Sequence, residues 1–190
     1  MPLADACQNE AYTLYRAAND CRNIAYIRFC QSIRTPHAAQ ALTLAEDGLK
    51  IARDLDDNQL IGLLCISVGN TMTMLAEPEQ ANKIFAEATI RLERVDQYAA
   101  ALARVGLAFT HMERGAFDAA LEEFHRACES LGQMQSPMIS LALAELSDLY
   151  FALGQNDQAW QCYRKGVTLA EERKDARRLH RLQRVGATLA

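Results

Sequence analysis

Residues 103–132 read ARVGLAFTHMERGAFDAALEEFHRACESLG and predict two amphipathic helices joined by a tight turn. The turn falls at Gly115, because glycine adopts a left-handed backbone after a helix end without steric cost. Beyond it, Ala120, Phe124 and Ala127 recur at four- and three-residue steps, which places them on one helical face. A single helix pair cannot bury that face, so the pattern predicts neighbours of the same kind.

The same pattern of large and small side chains recurs 39 residues downstream and 39 residues upstream. The aromatic Phe124 corresponds to Tyr163 in one direction and to Phe85 in the other, and small residues recur in the same way. A weaker copy precedes these three, and its first helix fits only with a one-residue slip. Self-similarity at a constant period is typical of stacked helical repeats.

The repeated pattern resembles the tetratricopeptide repeat (TPR), whose usual period is about 34 residues. The central copy matches the family signature at Leu107, Ala108, Gly115, Phe117, Ala120, Phe124 and Ala127. The longer period is similar to a long-repeat bacterial branch of the family. The pattern departs from the family at Ala76, where a glycine is expected. The resemblance implies an all-α fold, a right-handed superhelical α-solenoid of stacked antiparallel helix pairs with about nine or ten helices.

The chain contains no linker-like or low-complexity stretch, so we predict one TPR-like array over residues 1–190. Its predicted parts are a partial repeat (1–34), a weak repeat (35–57), three clear repeats (58–96, 97–135 and 136–174) and a C-terminal capping helix (175–190). The stretch 171–190, which includes this helix, is rich in basic residues, namely Arg173, Lys174, Arg177, Arg178, Arg181 and Arg184. It is expected to be a polar cap or a contact surface for an acidic partner.

Several helix boundaries are marked by local signals. Thr35 and Pro36 predict an N-cap followed by a first helical residue. Pro78 and Pro137 also predict helix starts, the latter behind Ser136. Near the N-terminus, the sequence at 19–20 allows either a tight turn or one continuous helix.

Composition narrows the functional class. The formal net charge of −4 argues against a nucleic-acid-binding surface, which requires a basic face. The six cysteines form no C-x-x-C pair and are expected to be buried, reduced thiols of a cytoplasmic protein. The N-terminus carries no signal-peptide pattern. Residues 60–76 are uncharged, but polar side chains interrupt them, which favours a buried repeat helix over a membrane span.

The sequence contains no constellation typical of catalysis. It contains none of the phosphate-binding, dinucleotide-binding, nucleophile-elbow or zinc-protease motifs. Glu122-x-x-His125 could contribute to a di-iron site, but such a site needs a second motif and further carboxylates. His111 occupies the aromatic position of the repeat, so we assign it a packing role. We predict no enzyme, no metal site and no cofactor.

The TPR resemblance implies that the first helix of each pair lines a concave surface. Here the face that such helices would present is mostly apolar where a surface helix should be polar. The predicted partner-binding groove comprises Leu63, Ile66, Asn70, Thr73, Leu102, Val105, Phe109, Met112, Leu141, Ala144, Asp148 and Phe151. Either a partner covers these side chains, or adjacent repeats and the end helices do.

Family members that bind acidic chain ends line the groove with Lys, Arg and Asn. Only Asn70 stands at a matching position here, and the expected lysine position is Ile66. An apolar or amphipathic peptide helix therefore suits the groove better. We predict a protein-interaction module that binds a partner peptide or helix, as a scaffold or regulatory input domain of a bacterial signalling protein. The alternative is a homodimerisation domain of a larger regulator, such as a diguanylate-cyclase-like or transcription-regulating protein. No direct binding of nucleic acid or membrane is expected.

Overall fold

A computed structural model describes residues 2–176, 179–180, 182–183 and 186. Within these residues the regular structure is entirely α-helical, which confirms the all-α prediction. Nine helices have defined bounds: α1 (Pro2–Ala17), α2 (Cys21–Ser32), α3 (Ala38–Asp54), α4 (Asn58–Met74), α5 (Pro78–Leu92), α6 (Gln97–Glu113), α7 (Phe117–Gln133), α8 (Ile139–Ala152) and α9 (Asn156–Glu172).

The helices form two compact units that divide between Arg114 and Gly115. In the first unit each helix from α1 to α6 packs on the next one along the chain, and in the second unit α8 packs on α7 and on α9. Short turns make consecutive packed helices antiparallel, so α4 with α5 and α8 with α9 form the predicted helix pairs. Because α6 and α7 belong to different units, their packing and the single array over 1–190 stay predictions.

The turn inside each clear repeat has one backbone conformation. Gly115 and Gly154 both have φ of +72°, and Ala76 has φ of +58° at the equivalent place. The structure therefore confirms the predicted glycine turns. It also shows that the alanine departure keeps the left-handed geometry rather than changing the turn. The following helices begin at Pro78, Phe117 and Asn156, which are 39 residues apart.

Two of the predicted helix starts are wrong. Helix α3 begins at Ala38 rather than after Thr35, because the Thr35 hydroxyl donates to the Gln31 carbonyl and so belongs to the end of α2. Helix α8 begins at Ile139, and the Ser136 hydroxyl accepts from the Met138 amide in the turn before it. At Thr35 this local side-chain bond to the backbone competes with capping. At Ser136 the hydroxyl does make a capping bond, but the first turn is closed by the Ile139 amide donating to the Ser136 carbonyl at 3.2 Å, three residues back rather than four, so the α-helix proper begins later. The predicted start at Pro78 is confirmed.

The core of the first unit is built around Phe85, which is 2% exposed. Its ring lies against the backbones of α4 and α6 at two glycines. A Cβ added at Gly69 would lie 2.8 Å from the ring, and one added at Gly106 would lie 2.4 Å from it. The aromatic ring thus occupies volume that any side chain at those two positions would need.

The remaining sequence predictions have mixed outcomes. Asn19 has φ of +52° and Asp20 caps α2, so α1 and α2 are separate helices. All six cysteines are free, but only Cys65 is buried; Cys30, Cys128 and Cys162 are half-buried, and the prediction of burial is wrong for the exposed Cys7 and Cys21. Of the described helices, none combines the length and the hydropathy needed to cross a bilayer. The predicted helix over 175–190 lies partly outside the described residues, as do Arg177, Arg178, Arg181, Arg184 and 187–190.

Candidate functional site

The predicted groove residues of α4 and α6 occupy matched positions, because both helices start at the same kind of cap. The carboxylate of Asp57 accepts from the Leu60 amide at 3.0 Å, and that of Asp96 accepts from the Ala99 amide at 2.9 Å. Aspartate is among the strongest N-cap residues. Counting from these caps superposes the two helices residue by residue.

At six, nine, thirteen and sixteen residues after the cap, α4 carries Leu63, Ile66, Asn70 and Thr73, and α6 carries Leu102, Val105, Phe109 and Met112. Seven of these eight side chains are half-buried and Asn70 is exposed. They lie on the helix faces that the core leaves uncovered. Because α4 packs on α6 as well as on α5, the two rows are neighbours.

Helix α2 adds a third row that the sequence analysis missed. Asp20 accepts from the Asn23 amide at 3.1 Å, and the same counting from this cap reaches Tyr26, Phe29 and Ile33. Tyr26 is 45% exposed and Ile33 is 59% exposed, while Phe29 contacts the Tyr26 ring at a centroid distance of 6.2 Å. Together these residues of α2, α4 and α6 form what we call the α2–α4–α6 surface.

The third row was missed because the caps of α2 and α4 are 37 residues apart rather than 39, as Asp20 and Asp57 show. A repeat search at a constant step therefore pairs the wrong side chains. The aspartate caps themselves were the available signal. Phe29, Leu63 and Ile66 pack against the edge of the buried core, so the rows continue the core outwards rather than standing apart from it.

The other four predicted groove residues lie on α8 in the second unit. Leu141 is half-buried and Phe151 is 39% exposed. Ala144 is 1% exposed and packs with Ala170 and Leu182, so it offers no accessible surface to a partner and is removed from the candidate set. Burial raises the pKa of the Asp148 carboxyl above its ordinary value. The structure thus brings the eight residues of α4 and α6 together in one unit and places those of α8 in the other.

Comparisons with known proteins bear on the fold. A family model for Anaphase-promoting complex subunit 5 matches residues 107–186, less than half of the chain. No curated protein matches the chain. Among solved structures, a Rap protein complexed with Competence and Sporulation Factor is similar over 92% of this chain and 46% of its own, with a TM-score of 0.73 and 16% identity.

Two further structures are similar at comparable levels. The Rap conjugation gene regulator of a plasmid, in complex with the Phr* peptide, covers 91% of this chain and 55% of its own, with a TM-score of 0.68 and 15% identity. A Signal Transduction ATPase with Numerous Domains from Pyrococcus horikoshii, which has a tetratricopeptide repeat sensor, covers 98% of this chain and 33% of its own, with a TM-score of 0.67 and 16% identity.

The chain has the tetratricopeptide-repeat fold. It spans between 33% and 55% of the length of these three structures. A TPR fold supplies packed helices and leaves function to the exposed side chains, so the chemistry of this chain's own residues decides what it can bind.

The TPR helices of the second unit also bring together polar groups that sequence analysis treated separately. His125 Nε2 and the Tyr150 hydroxyl are 2.6 Å apart and share a hydrogen bond. Cys128 and Cys162 line the same cleft of about 420 Å³. Burial raises the pKa of Cys128 to about 12, which keeps this thiol protonated and weakly nucleophilic at neutral pH.

The polar groups of the described residues also bear on a possible metal site. Among the described residues, no three His, Cys, Asp or Glu side chains come together as metal ligands. Glu122 pairs with Arg126 on the surface of α7, so the Glu122-x-x-His125 motif splits between two unrelated contacts. The half-buried His111 has a buried Nδ1 that no described residue hydrogen-bonds. The accessible apolar rows remain the most distinctive feature of the first unit.

Proposed function

We propose that this chain is a protein-interaction module that binds a peptide or helix of a partner on the α2–α4–α6 surface. The observation that supports the proposal is the shared register of accessible, mostly apolar side chains on three alternate helices, α2, α4 and α6. Solvent-facing helix positions are normally polar, and contiguous exposed apolar side chains usually mark an interface.

The chemistry of the surface favours an amphipathic peptide. Large side chains at Tyr26, Phe29 and Leu63 can receive apolar side chains spaced by three and four residues, as in other helix-in-groove complexes. Asn70 stands among them as an exposed amide, and its side chain can both donate to and accept from a peptide backbone. Arg104 is already paired with Glu93 at 2.7 Å, so this cation is less available to a partner.

We further propose that the module is cytoplasmic and serves a bacterial signalling protein as a scaffold or regulatory input. Two similar structures support the signalling part of this proposal, since one contains the Phr* peptide and another belongs to a signal transduction ATPase with a TPR sensor. Because the chain spans only part of those proteins, the signalling role rests on likeness of fold. The proposal assigns no catalytic step to the chain.

The decisive variant is Phe109→Asp. The equivalent position of α8 carries Asp148, which is 39 residues further along, so the repeat accommodates an aspartate here. A library of displayed short peptides is selected on the full chain, and the affinities of labelled peptides are then measured by fluorescence anisotropy. We expect Phe109→Asp to weaken binding by about tenfold or more, the scale of losing one central apolar contact. Phe109→Leu should retain most of the binding affinity.

Two outcomes would change the assignment. If Phe109→Asp folds and binds the selected peptides as the parent does, the α2–α4–α6 surface is not the binding site. If light scattering shows a dimer that dissociates on dilution and that Phe109→Asp abolishes, the surface serves self-association, as the homodimerisation alternative requires.

A further inference from the structure

A second accessible cleft lies on the side of α5 that faces away from Phe85. It encloses about 980 Å³ and is lined by side chains that include Lys83, Glu87, Ile90, Arg91, Arg94 and Val95. We call it the α5 cleft. It shares no residue with the α2–α4–α6 surface, so whatever binds there is not the peptide of the proposed function.

The apolar part of the α5 cleft is not required by the repeat. Ile90 is 73% exposed and Val95 is 52% exposed. Helices α5, α7 and α9 start 39 residues apart, so Ile90 corresponds to Glu129 and Thr168, and both of these are exposed. The fold therefore accepts a polar or charged side chain at this position, and only α5 carries a large apolar one there.

The acidic side chains of the cleft are already paired, whereas two of its cations are not. Glu87 accepts from Arg53 at 2.7 Å, and the same distance joins Glu93 to Arg104. Among the described residues, none forms a hydrogen bond or ion pair with Lys83 or Arg94. The cleft thus presents two uncompensated positive charges.

The basic character is again specific to α5. The residues of α7 at the positions equivalent to Lys83 and Arg94 are Glu122 and Gln133. Lys83 and the last residue of α5, Leu92, are nine positions apart, which is about 14 Å at a helical rise of 1.5 Å per residue, and Arg94 lies two residues beyond that end. An extended segment of about five residues, at about 3.3 Å per residue, is long enough to place one carboxylate near each cation.

We propose that the α5 cleft docks an acidic protein segment that carries a large apolar side chain between its carboxylates. The apolar side chain covers Ile90 and Val95, and the carboxylates approach Lys83 and Arg94. Charge complementarity of this kind raises association rates and selects the partner, while the apolar contact supplies most of the affinity. The chain then carries two independent docking surfaces, as a scaffold does.

The test is a selection of displayed random short peptides on the full chain. The same library is counter-selected on a variant carrying Lys83→Glu, Ile90→Glu and Arg94→Gln, which are the residues that α7 has at these positions. We expect the enriched peptides to share Asp or Glu around one aromatic or leucine residue. The best peptide is then synthesised with a fluorescent label, and its affinity is measured by anisotropy at low and high salt.

The expected pattern separates this site from the α2–α4–α6 surface. Ile90→Glu should weaken binding of the acidic peptide by about tenfold or more. Arg94→Gln should also weaken it and should reduce its salt dependence, because a screened charge pair is lost. Phe109→Asp should leave the affinity of the acidic peptide unchanged. The proposals for the α5 cleft and for the α2–α4–α6 surface can therefore fail independently of each other.

Several results would overturn the proposal. The proposal is wrong if selection enriches peptides without acidic residues, or peptides that bind the triple variant as tightly as the parent. The proposal is also wrong if a labelled oligonucleotide binds the chain and loses affinity in the same variants, since the cleft would then be a phosphate-binding surface. Circular dichroism checks the fold of each variant. If the triple variant does not fold, Arg94→Gln alone, at an exposed residue beyond the end of α5, decides the matter.

Discussion

Replacing Ala76 by glycine should stabilise the protein, although the change removes a methyl group. Ala76 has φ of +58° and is exposed. A residue with a Cβ pays roughly 1–2 kcal/mol to adopt a left-handed backbone. Glycine avoids that cost but gives the unfolded chain more conformational freedom, which is worth about 0.4–1 kcal/mol in the opposite direction. The net expectation for Ala76→Gly is a gain of about 0.5–1 kcal/mol in the free energy of unfolding.

The two glycines at the equivalent turns provide the reverse experiment. A Cβ added at Gly115 or Gly154 would meet no atom within 4 Å, so only the backbone effect remains. Gly115→Ala and Gly154→Ala should each lower the free energy of unfolding by about the amount that Ala76→Gly raises it. As a further control, Ala39→Gly places glycine at an exposed, right-handed position in the first turn of α3 and should destabilise, by at most the roughly 0.5–1 kcal/mol of a helix interior.

The assay is urea unfolding followed by circular dichroism, with thermal melts alongside. The gain for Ala76→Gly corresponds to about 1–4 °C in a domain of this size. The comparison holds where the dependence of the free energy on urea is the same for all variants. The reasoning is refuted if Ala76→Gly lowers the urea midpoint as Ala39→Gly does, because the left-handed backbone would then cost alanine nothing.

Two further predictions concern packing and charge. Gly106→Ala should destabilise the first unit by about 1 kcal/mol, because the cost of overpacking against the Phe85 ring exceeds the helix-propensity gain of alanine. Adding Phe85→Leu to the Gly106→Ala chain should recover part of that loss in urea unfolding. If Gly106→Ala alone stabilises the protein, the close packing of Gly106 on Phe85 is wrong. The pKa of Asp148 is raised from 3.8 by burial, so between 3.8 and the folded pKa the folded state binds more protons and stability falls as pH rises. Asp148→Asn should therefore stabilise the chain at neutral pH but much less below pH 3.8, and an equal effect at both pH values in the same assay would exclude this cause.

Short-range features of the chain were predictable from its residues. The 39-residue step placed the starts of α5, α7 and α9 correctly, because the large and small side chains that pack helices recur with the backbone that carries them. The turn at Gly115 was predictable for the same reason, since only a few residues tolerate its φ. Even the exception at Ala76 was visible as a missing glycine, although its backbone conformation was not.

The candidate surfaces depended on contacts between residues far apart in the chain. The row of Tyr26, Phe29 and Ile33 became visible only when the caps of α2 and α4 replaced the constant step as the reference. The burial of Ala144 and the lack of a described partner for Lys83 depend on which side chains approach from other helices.

Periodicity and capping are local, because they are set by a residue and its neighbours within a few positions. They therefore determined the helices, their turns and the faces that must be buried. Accessibility and the pairing of charges depend on the shapes of helices that meet in three dimensions. Arg53 and Arg104 neutralise Glu87 and Glu93 only because folding brings separate helices within hydrogen-bonding distance. With these two carboxylates paired, Lys83 and Arg94 give the α5 cleft its basic character.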